Sequence, residues 1–166
     1  MAKDESFDIT TGCDLQEVDN AVNQARKEFG NRFDFKNVLV EITYDRTAAT
    51  IGIHTADEYK VDAIWEVLQQ RLVAREVPLK NIKRGEIEKA GQSTVRQELA
   101  LTQGIETDLA KKIVRFIKEQ KFKKTSAQVQ GDAVRVSSPT RDELQGVIAA
   151  VKGEDWGIEL KFGNYR

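Results

Sequence analysis

Cysteine and histidine each occur once in this chain, at Cys13 and His54. A lone cysteine excludes an internal disulfide and any multi-cysteine zinc spacing. A lone histidine leaves a multi-histidine metal site or a Ser-His-Asp triad without its ordinary partners, and nothing in the sequence partners either residue. With only two prolines and no low-complexity tract, there is little room for a disordered tail. No run approaches the roughly 20 apolar residues of a membrane-spanning helix, and the opening MAKDESFD has no apolar signal core. A cytoplasmic protein without membrane association is expected. P-loop and GxGxxG motifs are absent, and no catalytic pair stands out among 27 acids. No catalytic residue, metal site or cofactor is therefore assigned, and the chain does not read as an enzyme.

What is present is enough apolar sequence for a core, 40% of 166 residues, and a dense, nearly balanced charge with a net of −1. That length suits one ordinary domain or two small ones. Ser6 to Thr10 is a short strand with Phe7 and Ile9 on one face. Asp14 followed by Glu17 resembles a capping box, and Leu15, Val18, Val22, Ala25 and Phe29 keep helical spacing up to Gly30. Val38 to Tyr44 alternates as a half-buried strand, and a turn at Asp45–Ala49 leads to a second strand, Thr50 to Thr55. Thr55 with Glu58 signals another cap, before a helix carrying Val61, Ile64, Trp65, Leu68 and Leu72. After Pro78, Leu79 to Glu88 is expected to be extended.

The order then repeats. Val95, Gln97, Leu99 and Leu101 share one strand face, and Arg96 and Glu98 the other. A helix follows Gly104 with Ile105, Leu109, Ile113, Phe116 and Ile117 inward. A hairpin turns at Gly131-Asp132. Pro139-Thr140, with Glu143, starts the last helix, and Ile158, Leu160 and Phe162 close the chain as a strand. Two successive βαββαβ units predict an α+β protein of two tandem ferredoxin-like domains, each a four-stranded antiparallel sheet with two helices on one face. The division is expected near Lys89–Ser93, giving domains 1–91 and 92–166. Lys and Arg number 13 against 17 acids in the first and 13 against 10 in the second. Any anion site is thus expected in the second repeat or at the seam.

The basic excess is concentrated. Lys111, Lys112, Arg115, Lys118, Lys121, Lys123 and Lys124 meet only Glu119, and such clustering raises the potential that phosphates feel. Lys111, Arg115 and Lys118 fall at i, i+4 and i+7 on one helical face. They form either a phosphate-binding stripe or a solvated helix face. Gln103-Gly104 would offer backbone N–H groups to an anion at the helix start, or simply meet the turn's conformational need. Gln128, Gln130, Asp132 and Arg135 lie on or beside the open sheet face, as base-edge contacts or ordinary solvated residues. Arg32-Phe33-Asp34-Phe35 would stack a base with Arg32 on a phosphate, or anchor its loop to the core. The open-face positions lack the aromatic residues and the RNP1 pattern of an RRM, which disfavours RRM-type reading but leaves charge-driven RNA binding open.

Several segments resemble one known family. SFDI at Ser6–Ile9, RFDF at Arg32–Phe35, QGI at Gln103–Ile105, KKIV at Lys111–Val114, AQVQGD at Ala127–Asp132 with RV at Arg135-Val136, and RDELQ at Arg141–Gln145 closely resemble the bacterial YajQ family in order and spacing. The resemblance implies a cytosolic protein with two RNP-like domains that exchange C-terminal strands, so that 158–162 completes the first sheet and 79–88 the second. It also implies nucleotide binding, with GTP and cyclic di-GMP as ligands to consider, suspected RNA binding, and no established catalytic activity. The residues assigned to a nucleotide come from charge and position: Lys111, Lys112, Arg115, Lys118, Gln128, Gln130, Arg135 and Arg32. An RNA-binding module on the same surface and a protein-interaction scaffold are the alternatives.

Overall fold

Two separate hydrophobic clusters form among the residues that the computed structural model describes, 4–166. In chain order the elements are β1 (Glu5–Thr10), α1 (Leu15–Asn31), β2 (Val40–Asp45), β3 (Thr50–Thr55), α2 (Glu58–Ala74), β4 (Ile82–Arg84), β5 (Glu88–Ala90), β6 (Thr94–Leu101), α3 (Thr107–Glu119), β7 (Ser126–Gln130), β8 (Ala133–Ser138), α4 (Arg141–Lys152) and β9 (Lys161–Gly163). Over the described residues the protein is α+β, with two antiparallel sheets and four helices, consistent with two ferredoxin-like domains.

The sheets do not follow the expected division. One runs β7-β8-β1-β9 and the other β2-β3-β6-β4, with β5 also paired to β6. The compact units are accordingly the segment up to Gly12 with Gln103–Arg166, and Cys13–Thr102. These units differ from the expected 1–91 and 92–166, and each C-terminal strand pairs with the leading strand of the other repeat, β9 with β1 and β4 with β6. The C-terminal strands β4 and β9 stay in the sheets of their own hairpins, and the leading strands β1 and β6 change places. Side-chain packing shows why each strand sits where it does. Phe7 and Ile9 are fully buried in the cluster of Ile113, Val134 and Val147. Leu99 and Leu101 belong to the cluster of Ile51, Ile64 and Leu68. Alternation says that a strand has one apolar face; it does not say which sheet receives it.

The expected linker is a turn within a sheet. Glu88–Ala90 pairs with Arg96–Thr94, and Gln92 and Ser93 both take φ 59° to close the hairpin. Small polar residues serve tight turns and flexible linkers alike. Nor is Leu79–Glu88 one continuous strand. A 3-10 turn (Leu79–Asn81) precedes β4, and β4 and β5 run along the same edge of β6 with a break between them. There the buried Gln97 amide donates to the Gly85 carbonyl at 2.8 Å and accepts from Arg84 at 3.3 Å.

Helix starts follow local chemistry. Asp14 accepts from the N–H groups of Gln16 and Glu17, and Thr140 from that of Glu143. For α2 the cap is Asp57, which accepts from Lys60 N–H at 2.9 Å. Thr55, expected in that role, is fully buried and donates its hydroxyl to the Leu39 carbonyl at 2.6 Å. Gly131, at φ 61°, opens the two-residue β7–β8 turn, a conformation open to glycine at little cost.

Candidate nucleotide-binding surfaces

In the unit containing α3, the helix buries Ala110, Ile113 and Ile117 against Phe7, Ile9, Val134 and Val136 of the sheet. Lys111, Lys112, Arg115 and Lys118 are all exposed, and among the described residues none of the four forms an ion pair or side-chain hydrogen bond. Exposed Lys121, Lys123 and Lys124 continue the positive charge beyond the helix end. The stripe is therefore present and uncompensated. Its surroundings are less basic than the division at residue 91 suggests: this unit holds 13 Lys and Arg against 12 acids, the other 13 against 15. The attraction is local to α3.

The start of α3 is not an anion site. Glu106 stands at its cap and Asp108 in its first turn, and carboxylates already occupy the favourable end of the helix dipole. The Ile105 N–H is spent on the Asp132 carbonyl at 2.9 Å. Gly104 answers to close approach instead: a β-carbon there would lie 2.8 Å from that of Asp132.

Gln128, Gln130 and Arg135 lie on the face of the sheet turned away from the helices. Since Phe7, Ile9, Ala127, Val134 and Val136 face the helices, the alternate residues must face the other way. Cross-strand pairing sets Gln128, Arg135, Asp8 and Gly163 in one row. Arg135 is committed within it, donating to Asp8 through Nε at 3.0 Å and Nη2 at 3.4 Å. Asn164 Nδ2 donates to the same carboxylate at 2.6 Å. The Arg135 hydrogen bonds hold the Asp8 carboxyl below its ordinary range against the opposing effect of burial, and Asn164 reinforces them. The bond to Asp8 likewise raises Arg135. The single surface anticipated from the sequence thus divides. The α3 cations lie on the helix layer, and Gln128, Gln130 and Arg135 on the opposite face.

Arg32 belongs to the other unit. Its guanidinium binds both Asp34 oxygens, at 2.9 and 2.6 Å, so that Asp34 lies below and Arg32 above its usual range. It also stands 5.4 and 5.1 Å from the ring centres of Phe29 and Phe35. The two aromatic residues of this loop have opposite fates. Phe35 is buried against Phe29 with ring centres 4.6 Å apart, whereas Phe33 is 87% exposed. Beside Phe33 opens a cleft of about 640 Å³, lined among others by Arg26, Phe29, Arg32, Phe35 and Lys36. Arg26 and Lys36 escape a sequence reading because they come from a helix and a turn with no shared period.

His54, for which the sequence shows no partner, has two in the fold. It lies on β3, between β2 and β6, with Nδ1 3.1 Å from Glu41 Oε2 and Nε2 2.8 Å from Thr94 Oγ1. The open-face positions of β1, β3, β6 and β8 carry no Phe, Tyr or Trp, and the one ring there is the His54 imidazole, held between Glu41 and Thr94. Among the described residues no helix is long and apolar enough to cross a membrane.

Residues 5–166 match the family described as "Nucleotide-binding protein YajQ-like". A protein of Koribacter versatilis (strain Ellin345), named as a nucleotide-binding protein, is 51% identical over 163 residues, covering 98% of each chain. Two of the same name from Bacillus cereus, strains G9842 and AH187, are 48% and 47% identical over 166 residues and the full length of each chain.

Proposed function

The chain belongs to the YajQ-like family, and from that premise we propose that it is a nucleotide-binding protein without catalytic activity, receiving ligand phosphates on the exposed face of α3. One observation carries the placement: Lys111, Lys112, Arg115 and Lys118 are exposed and uncompensated on a single helix. Lys111 to Lys118 spans about 10 Å at the helical rise, so the four cations present one continuous positive stripe to a phosphate-bearing ligand. GTP and cyclic di-GMP are accordingly the ligands to try. The sheet residues Gln128, Gln130 and Arg135 stand apart from this stripe, so base recognition on α3 would have to come from elsewhere in the helix layer.

The test is calorimetric titration of each nucleotide into the protein and into a variant with Lys111, Arg115 and Lys118 all changed to Ala, at low and moderate salt. Saturable binding that the variant loses supports the reading. Binding untouched in the variant would overturn the choice of α3, and no heat from either nucleotide would overturn the ligand class. The basic residues that continue to Lys124 support a second reading, RNA bound by charge. Its mark is an affinity for single-stranded RNA that falls linearly with salt on logarithmic axes, with a slope near −0.7 for each phosphate contacted.

A further inference from the structure

We infer that the cleft beside Phe33, in the unit Cys13–Thr102, is a separate binding site for a nucleoside phosphate, holding the base against the Phe33 ring and the phosphate between Arg26 and Lys36. The first argument is the cost of leaving Phe33 where it is. A phenylalanine that is 87% exposed gains nothing from burial, although its motif partner Phe35 already anchors the loop. Such a ring offers a stacking face to any base, and stacking of this kind tolerates every base because each has a π-face.

The second argument is charge. Arg26, Arg32 and Lys36 line the cleft, and no carboxylate does. The three cations are not equivalent. Arg32 is neutralised by its two bonds to Asp34 and serves chiefly as a flat lid over Phe29 and Phe35. Arg26 is fixed by donating Nε to the Ile42 carbonyl at 2.8 Å and Nη1 to Asn23 at 2.8 Å, which leaves Nη2 for an anion. Lys36 is exposed and has no partner among the described residues. Together they supply one pre-positioned donor and one mobile ammonium, the combination suited to a phosphate.

The third argument gives orientation. Gly30 and Asn31, at the end of α1, also line the cleft, and the carbonyls of a helix's last turn carry partial negative charge without intrahelical partners. They repel a phosphate and accept from N–H groups. The base's amine edge therefore points to the helix end, and the phosphate to Arg26 and Lys36. At about 640 Å³ the cleft lies within the ordinary range for small-ligand sites.

The experiment is titration of the isotopically labelled full chain with GMP, followed by amide NMR, beside Phe33→Ala and Lys36→Ala. Guanosine and inorganic phosphate serve as probes of base and charge alone. Saturable shifts confined to residues 26–40, weakened about fivefold or more in Phe33→Ala and also weakened in Lys36→Ala, are expected. Guanosine and phosphate should each bind more weakly than GMP. Wild-type affinity in Phe33→Ala, shifts that avoid residues 26–40, or phosphate alone matching GMP would each overturn the inference. A short oligonucleotide binding through the same amides would keep the site and identify the nucleotide as part of a strand. The Lys111/Arg115/Lys118 triple-Ala variant should retain these shifts, so failure of the α3 reading and failure of this one are separately visible.

Discussion

Asp8 and Arg135 illustrate how a residue picked for binding can prove to have a structural occupation. Arg135 is where the open sheet face has its charge, but both of its contacts go to Asp8, whose side chain is only 14% exposed. Asn164 completes the arrangement, joining β1, β8 and the residue after β9. The folded Asp8 carboxyl lies below its ordinary 3.8, so the pair's contribution to stability is complete above that value. It is lost as pH falls through the lower folded value. Asp8→Asn removes this dependence. In thermal unfolding followed by circular dichroism from pH 6 down to pH 2.5, the gap between wild type and Asp8→Asn should stay at its widest down to the ordinary carboxylate value of 3.8 and narrow only as pH falls below it. A constant gap across that range would show that the carboxylate's charge is not what the fold uses. At this same scale Phe33 and Phe35 are indistinguishable in sequence, both aromatic beside a charge, because their burial is decided by Phe29 and Lys60 arriving from other elements.

Elements were largely legible, because period and caps are local. The four helices and the alternation of Val95 to Leu101 follow from spacing that any reader of the chain can measure, and Asp14 and Thr140 cap where their positions require. The failures share one cause. Thr55 with Glu58 satisfies the capping pattern as well as Asp57 does, but β3 extends through Thr55 and takes its hydroxyl for a buried carbonyl. A strand's need for its last pair outranks a local helix signal. The assignment has a measurable consequence. Asp57→Ala should cost about 1 kcal/mol, the ordinary loss of an N-cap, in urea denaturation. Asp57→Ser should restore most of it, and recovery with Asn but not Ser would point to a role other than capping. The candidate site was less legible than the helices. Which cations share a face of α3 follows from i, i+4 and i+7 spacing. That α3 and the row of Gln128 and Arg135 occupy opposite layers depends on which sheet face the helices cover.

At the scale of the whole molecule, the two repeats of the sequence are not the two folded units, and the difference turns on a single central strand in each sheet. In the unit Cys13–Thr102, β6 lies between β3 and β4 and is, among the described residues, the one strand to which β4 pairs. A fragment of residues 1–91 keeps α1, β2, β3 and α2 but loses β6, leaving β3 with an open edge and β4 with no partner. It retains β1, whose Phe7 and Ile9 are shaped to a different core. A fragment of residues 13–102 is shorter by one residue and holds every strand of its sheet together with the whole cluster from Cys13 to Leu101. At about 90 residues, a complete core of this kind is sufficient for independent folding. Fragment 13–102 should therefore give a dispersed amide spectrum and one cooperative unfolding transition, while 1–91, cut where the repeat suggests, should give neither. If 1–91 folded as well as 13–102, β1 would have to replace β6 between β3 and β4. The division of the chain would then be a choice between two nearly equal pairings, rather than one fixed by the fit of Leu99 and Leu101 to Ile51, Ile64 and Leu68.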